Sequence, residues 1–127
     1  MVEKSSNQYY FFGIRDSEDR LVGTCYLSNL NYLYRTAELQ IRIGDTENRG
    51  KGYGRIAVKK LLKFAFYDLN LNRVFLQVFS DNIPAIKVYE YSGFIKEGVL
   101  RKAVYINGIY KDVFVYGILK EEFIYES

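Results

Sequence analysis

Histidine is absent from this chain of 127 residues, and cysteine and proline occur once each. Without an imidazole there is no His-based catalytic triad and no His-containing metal site. Cys25 cannot form a disulfide framework or a CxxC site; it has no base partner in view and reads as a core residue. No metal is implied. No apolar run approaches membrane-spanning length, and the start Met1-Val2-Glu3-Lys4-Ser5-Ser6 does not read as a signal peptide. No membrane partner is therefore expected, and the expected location is the reducing cytoplasm. The net charge of +3 is mild, and no basic cluster is interleaved with stacking aromatics, so no nucleic-acid partner is expected either.

What is present is ordinary in bulk and distinctive in detail. Apolar residues make up 49% and charged residues 26%, as in a globular protein. The aromatic share of 17%, mostly Tyr, suits strands. Tyr9 to Arg15 and Leu21 to Leu27 read as two strands joined by the polar turn Asp16-Ser17-Glu18-Asp19. Asn29 to Arg35 reads as a connection. From Thr36 to Ile43, Ala37, Leu39, Ile41 and Ile43 alternate with Glu38, Gln40 and Arg42, which predicts a third strand with one buried face.

Residues 54 to 69 repeat apolar side chains at helical spacing, with Arg55, Lys59 and Lys63 on the opposite face. Arg73 to Phe79 predicts a central strand. Asn82 and Pro84 start a second helix, Gly93 stops it, and Ala85, Val88, Tyr89 and Ser92 are its expected inner face. Phe94 to Ile106 is expected to be a strand kinked at Glu97-Gly98. Asn107-Gly108 is a two-residue hairpin signal leading into a last strand, Ile109 to Leu119. The expected fold class is α/β with a mixed sheet, one domain over residues 1–127, in the order β-β-β-α-β-α-β-β.

The most informative stretch is Asn48-Arg49-Gly50-Lys51-Gly52-Tyr53-Gly54, which opens onto the first helix. Bare backbone at a helix N-terminus offers several N–H donors to an anion such as a phosphate or diphosphate. It is not a Walker loop, because Gly44 and Gly50 are separated by five residues and Gly52 follows Lys51. It is not a dinucleotide fingerprint either, because Arg55 stands where the third glycine belongs.

Arg49-x-x-Gly52-x-Gly54, followed by Asn82-x-x-Ala85-x-x-x-Tyr89-x-x-x-Gly93-Phe94, resembles the acetyl-CoA signature of the GNAT family of N-acetyltransferases. The runs Glu97-Gly98-Val99-Leu100-Arg101 and Tyr105 to Asp112 resemble its ribosomal-protein-alanine and spermidine acetyltransferase branch. Asn31-Tyr32 and Arg35 to Gln40 resemble the spermidine enzymes in particular. The resemblance covers roughly residues 9 to 123. It implies an acyl-CoA N-acyltransferase fold and transfer of an acetyl group from acetyl-CoA, as co-substrate, directly to a primary amine. The amine is a small molecule such as a polyamine, an amino sugar, or a protein N-terminus.

Residue by residue, the resemblance puts the CoA diphosphate on the N–H groups of Arg49, Gly50, Lys51, Gly52, Tyr53 and Gly54, with Lys51 and Arg55 nearby as charge partners. Ile41 and Ile43 would offer backbone N–H groups to the thioester carbonyl. Asn82 would bond the cofactor or simply cap its helix, and Ala85 would leave room for the pantetheine arm. Tyr89 would protonate the leaving thiolate, and Glu38 would take the amine proton, directly or through a water. Glu97 and Asp112 are expected to join Glu38 in an acidic pocket if the acceptor is a polycation. Family members usually begin with a strand and two helices, so this chain is expected to be N-terminally short. The alternative expectation is a catalytically incompetent CoA-binding or assembly module. Ile56, Tyr91 and Leu33-Tyr34 are apolar where polar faces are expected, which suggests a homodimer or other homo-oligomer.

Overall fold

A computed structural model describes residues 9–43 and 52–124. Its strands are β1 (Tyr10–Arg15), β2 (Leu21–Asn31), β3 (Thr36–Ile43), β4 (Arg73–Phe79), β5 (Ile95–Ile106) and β6 (Ile109–Leu119), with helices α1 (Tyr53–Lys63) and α2 (Ile83–Tyr91). They form one six-stranded mixed sheet in the order β1-β2-β3-β4-β6-β5. The expected α/β order is therefore the observed one.

The β1–β2 turn is closed by Asp16, whose Oδ1 accepts the Glu18 and Arg20 N–H groups at 2.9 Å each. β2 runs past its expected end at Leu27. Asn29 takes a left-handed φ of 51°, and this bulge lets the strand bend and continue to Asn31. β3 alternates as its sequence predicts: Ala37 and Leu39 are buried, and Gln40 and Arg42 are exposed.

Both helices lie on the sheet face that carries Ala37, Leu39, Val74, Leu76, Tyr116 and Ile118. α1 buries Ala57, Val58, Leu61 and Leu62. It does not run straight to Leu69 as its periodicity suggests. Phe64–Asp68 is a π-helical turn, closed by Leu69 N–H to Phe64 O at 3.0 Å. The wider turn keeps Ala65 and Phe66 in the core, while Phe64 meets the rings of Tyr10 and Phe12. Truncating a side chain as enclosed as Leu76 would cost about 2–5 kcal/mol.

α2 is turned from its expected orientation. Ile86 and Tyr89 are its buried residues, whereas Ala85 and Val88 are half-buried. Val88 faces α1 instead of the sheet, and its Cγ2 is 3.6 Å from where a Gly54 Cβ would stand. β5 has bulges at Lys96–Gly98 and again between Leu100 and Val104.

Candidate active site

β3 and β4 run parallel but pair only at Thr36–Arg73, Ala37–Val74 and Glu38–Phe75. Beyond that point they part, and β3 continues through Leu39–Ile43 without β4. The vertex of this opening is pinned by Arg35. Its carbonyl accepts Asn72 N–H at 2.8 Å and Arg73 N–H at 3.2 Å, and its Nε donates to Asn70 O at 2.9 Å. Arg35 holds that grip at a left-handed φ of 62°. The sheet is thus held shut at one end and open at the other. Ile41 and Ile43 lie on the open stretch, half-buried against the core.

Arg49, Gly50 and Lys51 fall outside the described residues. Gly52 is the N-cap of α1 at φ 84°, with, among the described residues, no side-chain cap bond and nothing within 4 Å of where a Cβ would stand. No acidic residue occupies the first turn of α1. A helix start with no carboxylate in its first turn and, among the described residues, no side-chain cap can offer its N–H groups and its positive dipole end to an anion. Tyr53 lines an apolar groove with Phe12 and Ile14. The Arg55 guanidinium lies 4.1 Å above the ring of Tyr91.

At α2, Asn82 Oδ1 accepts Ala85 N–H at 3.4 Å, so the cap role of Asn82 is realised. Tyr89 is 6% exposed and packs edge-on against Phe94, with ring centroids 5.9 Å apart. Among the described residues its hydroxyl makes no hydrogen bond. Burial pushes its pKa up to about 12, so the phenol keeps its proton across the neutral range.

Glu38 points to the other face of the sheet, which no described helix covers. Its Oε1 accepts Asn29 Nδ2 at 2.7 Å, so the left-handed bulge that extends β2 also supplies the partner of this carboxylate. Ser28, opposite Glu38 in register, has a buried Oγ without a hydrogen bond. Phe75 stands opposite Glu38 on β4, and Gly117 opposite Phe75 on β6. Over Gly117 lies a bidentate ion pair: Arg73 Nη1 and Nη2 donate to Glu97 Oε2 and Oε1, each at 2.7 Å.

The expected acidic pocket does not assemble. Arg73 engages Glu97 and holds its carboxyl below the usual range. Asp112 accepts Lys102 N–H at 2.8 Å far along β6 from Gly117, in the bulged hairpin arm. Of the three, Glu38 is the one beside the vertex, and among the described residues its second carboxylate oxygen has no hydrogen-bond partner.

Sequence reasoning missed Asn29, Phe75 and the Arg73–Glu97 pair. Two signals were available. An Asn inside a strand run suggests a left-handed bulge, and a Gly inside a central strand marks the close approach of another group.

The family model of the Acetyltransferase (GNAT) domain matches residues 1–115. The spermidine N(1)-acetyltransferase of Vibrio cholerae is 39% identical over 101 residues, which are 80% of this chain and 58% of that protein. The spermidine N-acetyltransferase of Vibrio cholerae solved in complex with CoA and spermine superposes with a TM-score of 0.84 at 37% identity, over 90% of this chain and 67% of that one. A dodecameric structure of the same enzyme gives 0.83, over 89% of this chain and 66% of that one. The chain thus spans somewhat over half the length of the curated relative. On the family match and on these identities, the chain belongs to the GNAT acetyltransferase family.

Proposed function

We propose that this chain is the acetyl-transferring domain of an acetyl-CoA-dependent N-acetyltransferase, acting by direct transfer to a primary amine. The observation that carries the reading is the parting of β3 and β4 after three residue pairs, with Tyr89 on the helix face of the sheet and Glu38 on the other. A thioester lying in that opening could meet a proton donor from one side and an incoming amine from the other.

The residues present fit acetyl-CoA. The open edge of β3 would hold the pantetheine arm, and the start of α1 would hold the diphosphate through the N–H groups of residues 49 to 54, with Lys51 and Arg55 as charge partners. Bound there, acetyl-CoA supplies the activated acetyl group. Glu38, oriented by Asn29, takes the proton that the attacking nitrogen sheds. N–H groups of Ile41 or Ile43 polarise the carbonyl oxygen. Tyr89 presents its phenolic O–H to the departing sulfur. With its pKa raised to about 12, against about 8.5 for an ordinary thiol, the phenol keeps its proton across the neutral range and is the weaker acid of the two, so it assists departure chiefly as a hydrogen-bond donor to the developing thiolate.

A polyamine such as spermidine is the acceptor the relatives' names favour. A single free carboxylate beside Phe75 suits one ammonium group, and a protein N-terminus or amino sugar presents the same group. The chain would act in the cytoplasm, and a homo-oligomer fits its exposed Ile56 (55%) and Tyr91 (69%). Light scattering showing a monomer at working concentration would remove that last point.

A second reading, a CoA-binding or assembly module without turnover, is favoured by the exposed aromatics, among them Tyr34 (72%) and Tyr91 (69%). Release of free CoA separates the two. An enzyme liberates CoA from acetyl-CoA only when spermidine or another competent amine is added; a binding module releases none with any amine.

A further inference from the structure

Glu90 stands in the last turn of α2, where the negative end of a helix disfavours a carboxylate. Tyr116 accounts for its presence. This phenol, fully buried on β6, donates to Glu90 Oε2 at 2.7 Å. The other side-chain hydrogen bonds of α2 are local: the long Asn82 cap and Ser92 Oγ–H to Val88 O. Among the described residues, Tyr116–Glu90 is the one side-chain hydrogen bond joining α2 to the sheet. It falls one residue from Tyr89.

We propose that Tyr116 and Glu90 are positioning residues for Tyr89. Their bond fixes the rotation of α2 about its own axis and so the point that the Tyr89 hydroxyl reaches. The inference rests on the reading of Tyr89 as proton donor. A phenolic oxygen lies about 9 Å from its helix axis, so a rotation of about 7° moves it about 1 Å. A displacement of that size can cost up to about a hundredfold in rate.

The test uses the full chain with acetyl-CoA and spermidine, reading CoA release. Tyr116→Phe keeps the ring in the core, and because Glu90 is exposed it strands no buried charge. We expect turnover to fall about tenfold, with KM for acetyl-CoA unchanged. Glu90→Ala should behave alike, and Glu90→Gln, which keeps an acceptor, should restore most of the rate. In a Tyr89→Phe background, Tyr116→Phe should change nothing. An equal loss in both backgrounds, or no loss in either, overturns the proposal. Full turnover in Tyr89→Phe alone overturns the donor reading itself, and the proposal with it.

A second readout needs no acceptor: the pH dependence of alkylation of bound CoA by iodoacetamide. A hydrogen bond from Tyr89 lowers the pKa of the bound thiol. Tyr89→Phe should raise it, and Tyr116→Phe should raise it in the same direction by a smaller amount, with thermal melts confirming that both variants fold. A rise in Tyr89→Phe without one in Tyr116→Phe overturns the positioning role and leaves the donor reading intact.

Discussion

Gly117 is the residue whose substitution tests the geometry beside the vertex most sharply. A Cβ there would strike the Glu97 carboxylate and stand 2.6 Å from Arg73 Nη1, so any side chain displaces the ion pair. Arg73 and Glu97 are 33% and 35% exposed, and both can swing into solvent. The loss is therefore that of a bidentate but solvent-screened pair, about 1 kcal/mol. A valine in a central strand gains roughly as much over glycine, because it costs less backbone entropy and packs on the pleated face. Gly117→Val should then be close to neutral in the native background. In an Arg73→Ala/Glu97→Ala background nothing is displaced, and the same substitution should stabilise by about 1 kcal/mol. At this chain length that is a rise of several degrees in Tm, measurable by circular dichroism. The coupling should fade in acid. Arg73 lowers the Glu97 pKa, so the pair's contribution is present above the ordinary value of 4.5 and is lost as pH falls through the lowered one. An identical effect of Gly117→Val in both backgrounds would refute the claim that the ion pair fills the space glycine leaves.

Four further outcomes follow from the site. Gly52→Ala meets no neighbour but must hold a left-handed φ, so it should cost about 1 kcal/mol in a urea melt; a loss above about 3 kcal/mol would mean that the loop is packed. Tyr89→Phe should lower turnover by about a hundredfold or more while acetyl-CoA affinity stays within about twofold, and unchanged turnover would sink its role. Glu38→Gln should depress kcat/KM for the amine and leave acetyl-CoA binding intact by calorimetry. Burial raises the pKa values of Tyr89 and Tyr116 to about 12, and ionisation is easier in the unfolded chain. Stability should therefore decline as pH rises from about 10 toward 12, with these two phenols, like that of Tyr32 bonded to Tyr10, ionising at the high end of a spectrophotometric titration.

The order of elements was legible because strands and helices here obey their periods. Alternation gave β3 its buried face, Asn107-Gly108 gave the β5–β6 hairpin, and Asn82 with Pro84 gave the start of α2. The candidate site is written in residue types at Gly52 and Tyr89, which the fold places at a left-handed N-cap and in a buried position on α2. It was not legible where backbone shape decides. The parting of β3 from β4 leaves no residue signature, and the π turn at Phe64–Asp68 sits inside an unbroken helical pattern. The rotation of α2 also brings Val88 against Gly54, a contact between segments that sequence spacing does not encode. The acidic pocket failed for a related reason: charge can be counted from a sequence, but the pairing of Glu97 with Arg73 depends on which strands are neighbours.

Everything proposed for the site depends on acetyl-CoA entering the opening between β3 and β4. Amide NMR of the labelled chain during titration with acetyl-CoA reads this without an acceptor or a turnover assay. Micromolar binding is expected, with shifts concentrated in Leu39–Ile43, Gly52–Ala57 and Asn82–Tyr89, all abolished by Gly52→Glu in a folded variant. A folded chain in which these amides do not move, or in which Gly52→Glu binds as tightly as the native chain, would rule the opening out as the acetyl-CoA site.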